Sequence, residues 1–136
     1  MDCIFCKIIA GEIPAFKVYE DEAALAFMDI NPLTEGHLLV VPKKHVTGLF
    51  DGDEETLAVA ITTAAKIART MKKVLGLDSL NMIQANGPWA MQSVPHLHLH
   101  LVPRREGDGV PLDWEPRPGD MEAIGRVGEE LARAVD

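Results

Sequence analysis

Three histidines occupy every second position of Pro95-His96-Leu97-His98-Leu99-His100-Leu101-Val102, and imidazole is the side chain whose protonation changes near neutral pH. On an extended segment alternate side chains share a face, so Leu97, Leu99 and Leu101 turn to a core and the imidazoles line up opposite. Three chemistries suit such a row. The plainest is a solvated strand, although charged or amide side chains would serve that purpose equally well. One ion held by all three is geometrically poor. At about 3.3 Å per residue the outer Cα atoms lie about 13 Å apart, whereas zinc holds nitrogen at about 2.0–2.1 Å. The third is a division of labour, in which one imidazole reacts and its neighbours orient or charge it. A second set of ligating atoms stands in Cys3-x-x-Cys6. No strand precedes this pair, as a thioredoxin-like motif would require, so zinc ligation and two unpaired thiols are the readings left to weigh.

The elements that must position these residues follow from apolar spacing and punctuation. Leu57, Ile61, Ala64, Ala68, Met71 and Leu75 predict a helix over 54–75, with Asp53 as its cap and Gly76 as its stop. A short helix is expected over 4–10, and strands over 16–20, 23–28, 37–41, 80–85 and 96–102. The stretch 103–119 holds four of the nine prolines and reads as a surface loop. A further helix follows with Met121, Ile124, Leu131 and Val135 on one side. Strands and helices in separate blocks predict an α+β fold around a mostly antiparallel sheet of about five strands. One domain spanning 1–136 is expected, with 103–136 as a C-terminal loop and helix extension.

Charge limits the partners. Thirteen basic residues against 21 acidic ones give a net charge of −8, which argues against nucleic acid and against an anionic membrane surface. A small phosphorylated ligand needs only local donors. No apolar run approaches the roughly 20 residues of a membrane span. Met1-Asp2-Cys3-Ile4-Phe5-Cys6-Lys7 lacks the basic-then-apolar pattern of a secretory signal, so a cytoplasmic setting with reduced thiols is expected.

The row His96-Leu97-His98-Leu99-His100-Leu101-Val102 resembles the signature of the histidine triad (HIT) superfamily at every position. Cys3–Pro14, Leu25–Pro32, Gly36–His45 and Gln92-Ser93-Val94 are similar to the family's other blocks, most closely to those of its Hint-like nucleotide-binding branch. The resemblance implies a nucleotidyl hydrolase or transferase that splits purine nucleoside phosphoramidates, or related nucleotide conjugates, at the α-phosphate. His98 would form a covalent nucleotidyl-histidine, with His100 and His37 contacting the phosphate. Gln92 and Ser93 would cradle it, and Ser93 would assist the leaving group. Asp29 would accept the ribose hydroxyls, although an Asp beside Asn31-Pro32 is also a turn former. Phe5, Ile8, Phe27 and Ile30 would hold the base, or serve as ordinary core.

By the same resemblance, Cys3, Cys6, His45 and His96 would close a structural zinc site, with no catalytic metal or organic cofactor. A homodimer joined through the long helix and a strand is also implied. Trp114 reads either as an anchor of its own loop or as a side chain reaching a partner's site. Two positions depart from the family pattern. Met91 stands where glycine is usual, and Ala85 where many relatives carry asparagine, leaving Asn86 as the substitute. The alternatives are a dinucleoside polyphosphate hydrolase, a nucleotide-binding regulatory protein with little turnover, and a zinc-dependent interaction protein.

Overall fold

Two unbroken apolar runs, Ala24–Phe27 and Leu38–Val41, form the middle of the molecule, and they are unbroken because both faces of their sheet are covered. The computed structural model describes residues 2–111 and 114–135. Its elements are α1 (Ile4–Ile9), β1 (Lys17–Glu20), β2 (Ala24–Met28), β3 (Leu38–Pro42), α2 (Glu54–Leu75), β4 (Ser79–Ile83), a 3-10 turn (Pro88–Ala90), β5 (Leu99–Arg104) and α3 (Met121–Ala134). The five strands pair antiparallel in the order β1-β2-β3-β5-β4. The α+β expectation is met.

Strand alternation divides the core. Ala26, Leu38, Val40, Leu97, Leu99 and Leu101 pack with α2 on one face. Leu25, Phe27, Leu39 and Val41 pack with Phe5 and Ile8 of α1 on the other. The histidine row shares this second face, because its leucines take the first. No described helix is long and apolar enough to cross a membrane.

The long helix has its expected ends. Asp53 accepts the Thr56 amide as N-cap, and Gly76 closes the C-terminus in the left-handed region at φ 64°. Its buried face differs from the predicted one. Thr56, Ala60, Thr63, Ala64, Ile67 and Met71 meet the sheet, whereas Ile61 and Leu75 are exposed. The apolar stripe in the sequence is wider than the arc the sheet covers, and Ile61 lies on the uncovered part.

Two strands depart from the expected bounds by more than one residue. β5 begins at Leu99, not at residue 96, because 96–98 are held outside the ladder: the Leu97 amide donates to the Val46 carbonyl at 2.8 Å. It also runs to Arg104, so Pro103 is fully buried within a segment predicted as surface loop. β4 covers Ser79–Ile83, not 80–85, and forms one edge of the sheet. Trp114 is exposed and so does not anchor its loop.

Ile67 and Leu75 separate the predicted face from the observed one. Ile67 is 4% exposed and Leu75 40%. Ile67→Ala should therefore cost about 2–5 kcal/mol and Leu75→Ala under about 1 kcal/mol. Urea denaturation of the two variants measures the difference.

Candidate active site

The row of histidines opens onto a cleft of about 280 Å³ between α1 and the second face of the sheet. Phe5 and Ile8 of α1 and Phe27 and Leu39 of the sheet form its apolar wall, and Asp29, Ser93, His98 and His100 supply polar groups. Phe5 meets Phe27 edge-on with ring centroids 5.5 Å apart. It also meets His98 and His96 edge-on, at 5.1 and 5.9 Å. Phe5 thus packs against both histidines from the cleft side.

Main-chain groups determine the tautomers. The His96 carbonyl lies 2.7 Å from His98 Nδ1. A carbonyl only accepts, so Nδ1 carries the proton and His98 Nε2 keeps a lone pair. At His37 the roles reverse. The Leu33 amide donates to Nδ1 at 2.9 Å, which places the His37 proton on Nε2. That proton faces His100 Nδ1 at 3.0 Å and Asp29 Oδ2 at 3.5 Å. His100 Nδ1 therefore accepts, and His100 Nε2 carries a proton. Burial holds His98 and His37 below the ordinary imidazole value, against opposing pulls from the His96 carbonyl at His98 and from Asp29 at both. At His100, burial with repulsion from His98 and His37 lowers the value to about 4. All three rings are neutral near pH 7. The site presents one nucleophilic nitrogen and one N–H donor on adjacent side chains.

Behind Phe5, four donor atoms converge. His96 Nδ1 lies 3.4 Å from Cys3 Sγ, 3.6 Å from Cys6 Sγ and 3.0 Å from His45 Nδ1, and Cys6 Sγ lies 3.3 Å from His45 Nδ1. A tetrahedron with zinc–nitrogen bonds of about 2.0–2.1 Å and zinc–sulfur bonds of about 2.3 Å has edges of roughly 3.3–3.8 Å. The donor set fits that ion. The surroundings fit too: His96 Nε2 donates to the Pro42 carbonyl at 2.9 Å, which turns the Nδ1 lone pair inward. The Cys6 amide donates to Cys3 Sγ at 3.3 Å; burial pushes the Cys6 thiol up, so ligation there would release its proton.

Asp29, His37 and His100 also bring three donor atoms together, with the opposite chemistry. The Leu33 amide keeps the His37 proton on Nε2, so ligation there would require an imidazolate. Within this cluster His37 Nε2–H donates to His100, with the Asp29 carboxylate 3.5 Å from the same nitrogen.

Several predicted residues lie elsewhere. Gln92 is a brace: its amide donates to the Thr47 and Val94 carbonyls, and its oxygen accepts the Gly87 amide. Asn86 accepts the Leu49 amide and exchanges hydrogen bonds with Gln84. Neither lines the cleft. His37 sits beneath His100, one ring removed from the opening. Asp29 Oδ1 accepts the Asn31 amide at 2.8 Å, as a turn former does, and the residue lines the cleft. Ile30 lies at the mouth, largely exposed. Met91 adopts the left-handed conformation at φ 66°, so the turn that favours glycine is kept at a cost of roughly 1–2 kcal/mol. Ile13, Pro14, Ala15 and Val94 also line the cleft and were not predicted to. The apolar run Ile13-Pro14-Ala15 after Gly11 was a usable signal.

The HIT domain family model matches residues 10–107. The chain belongs to the HIT domain family. The HIT protein is 43% identical over 135 residues to the adenosine 5'-monophosphoramidase HNT1 of Saccharomyces cerevisiae, covering 98% of this chain and 83% of that one. A solved Streptococcus mutans protein superposes with a TM-score of 0.93 at 41% identity, covering 99% of this chain and 86% of that one. A zinc-bound histidine triad family protein from Mycobacterium smegmatis superposes with a TM-score of 0.78 at 40% identity, covering 99% of each chain.

The depressed His100 value has a consequence for stability. Between about pH 6.5 and 4 the unfolded chain takes up a proton at this residue and the folded one does not. Stability should fall as pH drops through that window and lose nothing further from His100 below it. An NMR titration should show the His100 ring neutral down to about pH 4, and urea midpoints across the window measure the slope.

Proposed function

We propose that this HIT protein is a nucleotide hydrolase that cleaves purine nucleoside phosphoramidates, or related nucleotide conjugates, at the α-phosphorus through a nucleotidyl-histidine on His98. The observation that carries the reading is the 2.7 Å contact from His98 Nδ1 to the His96 carbonyl. It leaves Nε2 unprotonated in a cleft whose remaining wall suits a flat apolar base. The monophosphoramidase relative supports the substrate class.

In this reading the His98 Nε2 lone pair forms a bond to phosphorus as the phosphorus–leaving-group bond breaks, and the leaving amine takes up a proton from solvent, which the attacking water of the second step returns. Water then attacks phosphorus, the histidine–phosphorus bond breaks, and the nucleoside monophosphate departs with the ring restored. His100 Nε2–H donates to a phosphoryl oxygen as charge accumulates there. Ser93 lines the same cleft and would serve the leaving group. Asp29 accepts ribose hydroxyls, and Phe5, Ile8, Phe27 and Ile30 enclose the base. The hydrogen bond from His37 Nε2–H to His100 Nδ1 holds His100 in the donating tautomer.

Cys3, Cys6, His45 and His96 are the residues that would hold zinc, in a closed four-ligand site that supplies structure, not chemistry. A homodimer is part of the same reading. β4 is an edge strand with Met82 exposed, and Ile61 lies exposed on the uncovered side of α2. A second copy that pairs β4 with β4 and packs this side of α2 against its own covers both.

His98→Ala should lower the turnover of an adenosine phosphoramidate by at least about 10³-fold, with nucleotide affinity kept within a few-fold. Rapid quench and intact-mass spectrometry should find a nucleotide adduct on the wild type alone. Turnover at the wild-type rate in the variant sinks the mechanism. A diadenosine polyphosphate assayed in parallel separates phosphoramidate from polyphosphate hydrolysis.

The metal site has its own consequence, because Cys3 and Cys6 flank Phe5 on a helix of six residues. A helix that short does not persist in water without anchorage. Cys6→Ser or chelation should raise amide exchange across residues 3–9 and weaken nucleotide binding. Metal analysis that finds zinc undiminished in Cys6→Ser removes that ligand.

A further inference from the structure

Helix α3 buries none of its residues. Met121, Ile124, Val127 and Leu131 recur at spacings of three and four, and Val135 continues the series just beyond the helix end, so they form one apolar face. Glu122, Arg126, Glu129, Glu130 and Arg133 form the other. A 14-residue helix standing alone in water is marginal, and its interior Gly125 and Gly128 weaken it further. A Cβ at either glycine would meet nothing within 4 Å, so packing within the chain explains neither. The face is built to be covered, and its own chain leaves it open.

The same chain leaves a second apolar surface open. Phe50 is 92% exposed and Trp89 101%, with Leu49 and Met91 exposed beside them. They sit on two loops tied together by Gln92 Nε2 donating to the Thr47 carbonyl at 2.8 Å and the Leu49 amide donating to Asn86 Oδ1 at 2.8 Å. The aromatic side chains therefore stand on a hydrogen-bonded platform. Exposed apolar clusters of this kind mark interfaces.

Strand register connects the two surfaces. Arg104 lies opposite Ser79 at one end of β4, and His100 opposite Ile83 at the other, where the loop carrying Trp89 begins. Antiparallel pairing of two β4 edges places the Ser79 end of each copy beside the Ile83 end of the other. The chain leaves the sheet at Arg104, so within one copy it starts about 20 Å from the Trp89 loop, the length of six strand residues. In the pair it starts next to the other copy's loop. The 16 residues from Arg105 to Asp120 span at most roughly 50–60 Å when extended, which is ample.

We propose that α3 is an exchanged arm, its apolar face lying on the Phe50 and Trp89 surface of a second copy. A two-fold pair covers both surfaces twice, once in each direction. A membrane is the poorer occupant, because interfacial helices are rich in Lys and Arg. Here the polar face has three acids against two bases, on a chain of net charge −8. The inference rests on the proposed homodimer and adds a contact that this dimer does not require.

Trp89 reports on the contact once Trp114, the other tryptophan, is replaced by Phe in the full chain. The expected result is a dimer by sedimentation whose Trp89 emission is blue-shifted and shielded from acrylamide, and Leu131→Glu then moves the emission to that of solvated tryptophan without changing the mass. A photo-crosslinking residue at position 131 gives the same answer without depending on that variant's fold. It should yield covalent dimers on a denaturing gel, with the attachment mapping to residues 47–52 or 86–92. A dimer whose Trp89 is already solvated, an emission unmoved by Leu131→Glu, or crosslinks confined to one chain would each overturn the arm and leave the homodimer standing. A monomer mass for the parent protein overturns both. A blue shift that needs phosphatidylglycerol vesicles assigns the helix to lipid and overturns the arm.

Discussion

The His96 carbonyl accepts the His98 Nδ1 proton at 2.7 Å, and the chemistry proposed for the cleft follows from that contact. A neutral imidazole has two tautomers, of which one presents a lone pair to the cleft and the other a proton. A side-chain partner could itself change protonation state or swing away. A main-chain carbonyl can do neither, and this one belongs to a residue whose side chain is anchored elsewhere. Pro42 does the same for His96 through its carbonyl, and Leu33 the reverse for His37 through its amide. Three imidazoles are thus assigned by backbone atoms, and the fourth, His100, is assigned by His37. Neutrality follows from the same burial that fixes the partners, since desolvation is the leading cause of depression at His37, His98 and His100.

Burial sets the limits on what that row can do. Where like imidazoles crowd together out of water, the cost of charging any one rises. Burial first, and then the crowding of His98 and His37 against the ring, lower His100 to about 4. In the proposed reaction such a site would stabilise a phosphoryl oxygen by directed N–H dipoles, in contrast to one lined with lysine or arginine. The chain's acidic balance is compatible with a phosphate ligand for that reason: the donors that matter are few, local and neutral.

Much of this was legible in the sequence, and the misses have definite causes. Asp53, Gly76 and the apolar spacing between them located α2 to the residue, because capping chemistry is local. Which part of its stripe met the sheet was not legible. Ile61 and Ile67 are equally apolar, and only the tertiary arrangement decides between them. The alternation of histidine and leucine gave the correct faces even where the ladder is absent, since Leu97 and His96 keep an extended alternation without pairing. Asn86 and Gln92 are expected near the phosphate from the family resemblance; their side chains tie residues 47–49 to the 86–92 loop and do not line the cleft, a bracing role that residue type does not announce. The partners that assign the tautomers are main-chain atoms of His96, Pro42 and Leu33, which no reading of side chains can single out.

The N-terminal helix shows how closely the two clusters are joined. Cys3, Phe5, Cys6 and Ile8 alternate between the metal-type donor set and the cleft wall within six consecutive residues. His96 and His98 alternate in the same way on the opposite segment, with Phe5 edge-on to both rings. A segment too short to hold its own helical shape is kept in register by its sulfur atoms at one side and its apolar side chains at the other. Loosening either set of contacts loosens the other, because one rigid turn carries both. That coupling gives the Cys3-x-x-Cys6 spacing its meaning here: it sets Phe5 against the ring that the reaction is proposed to use.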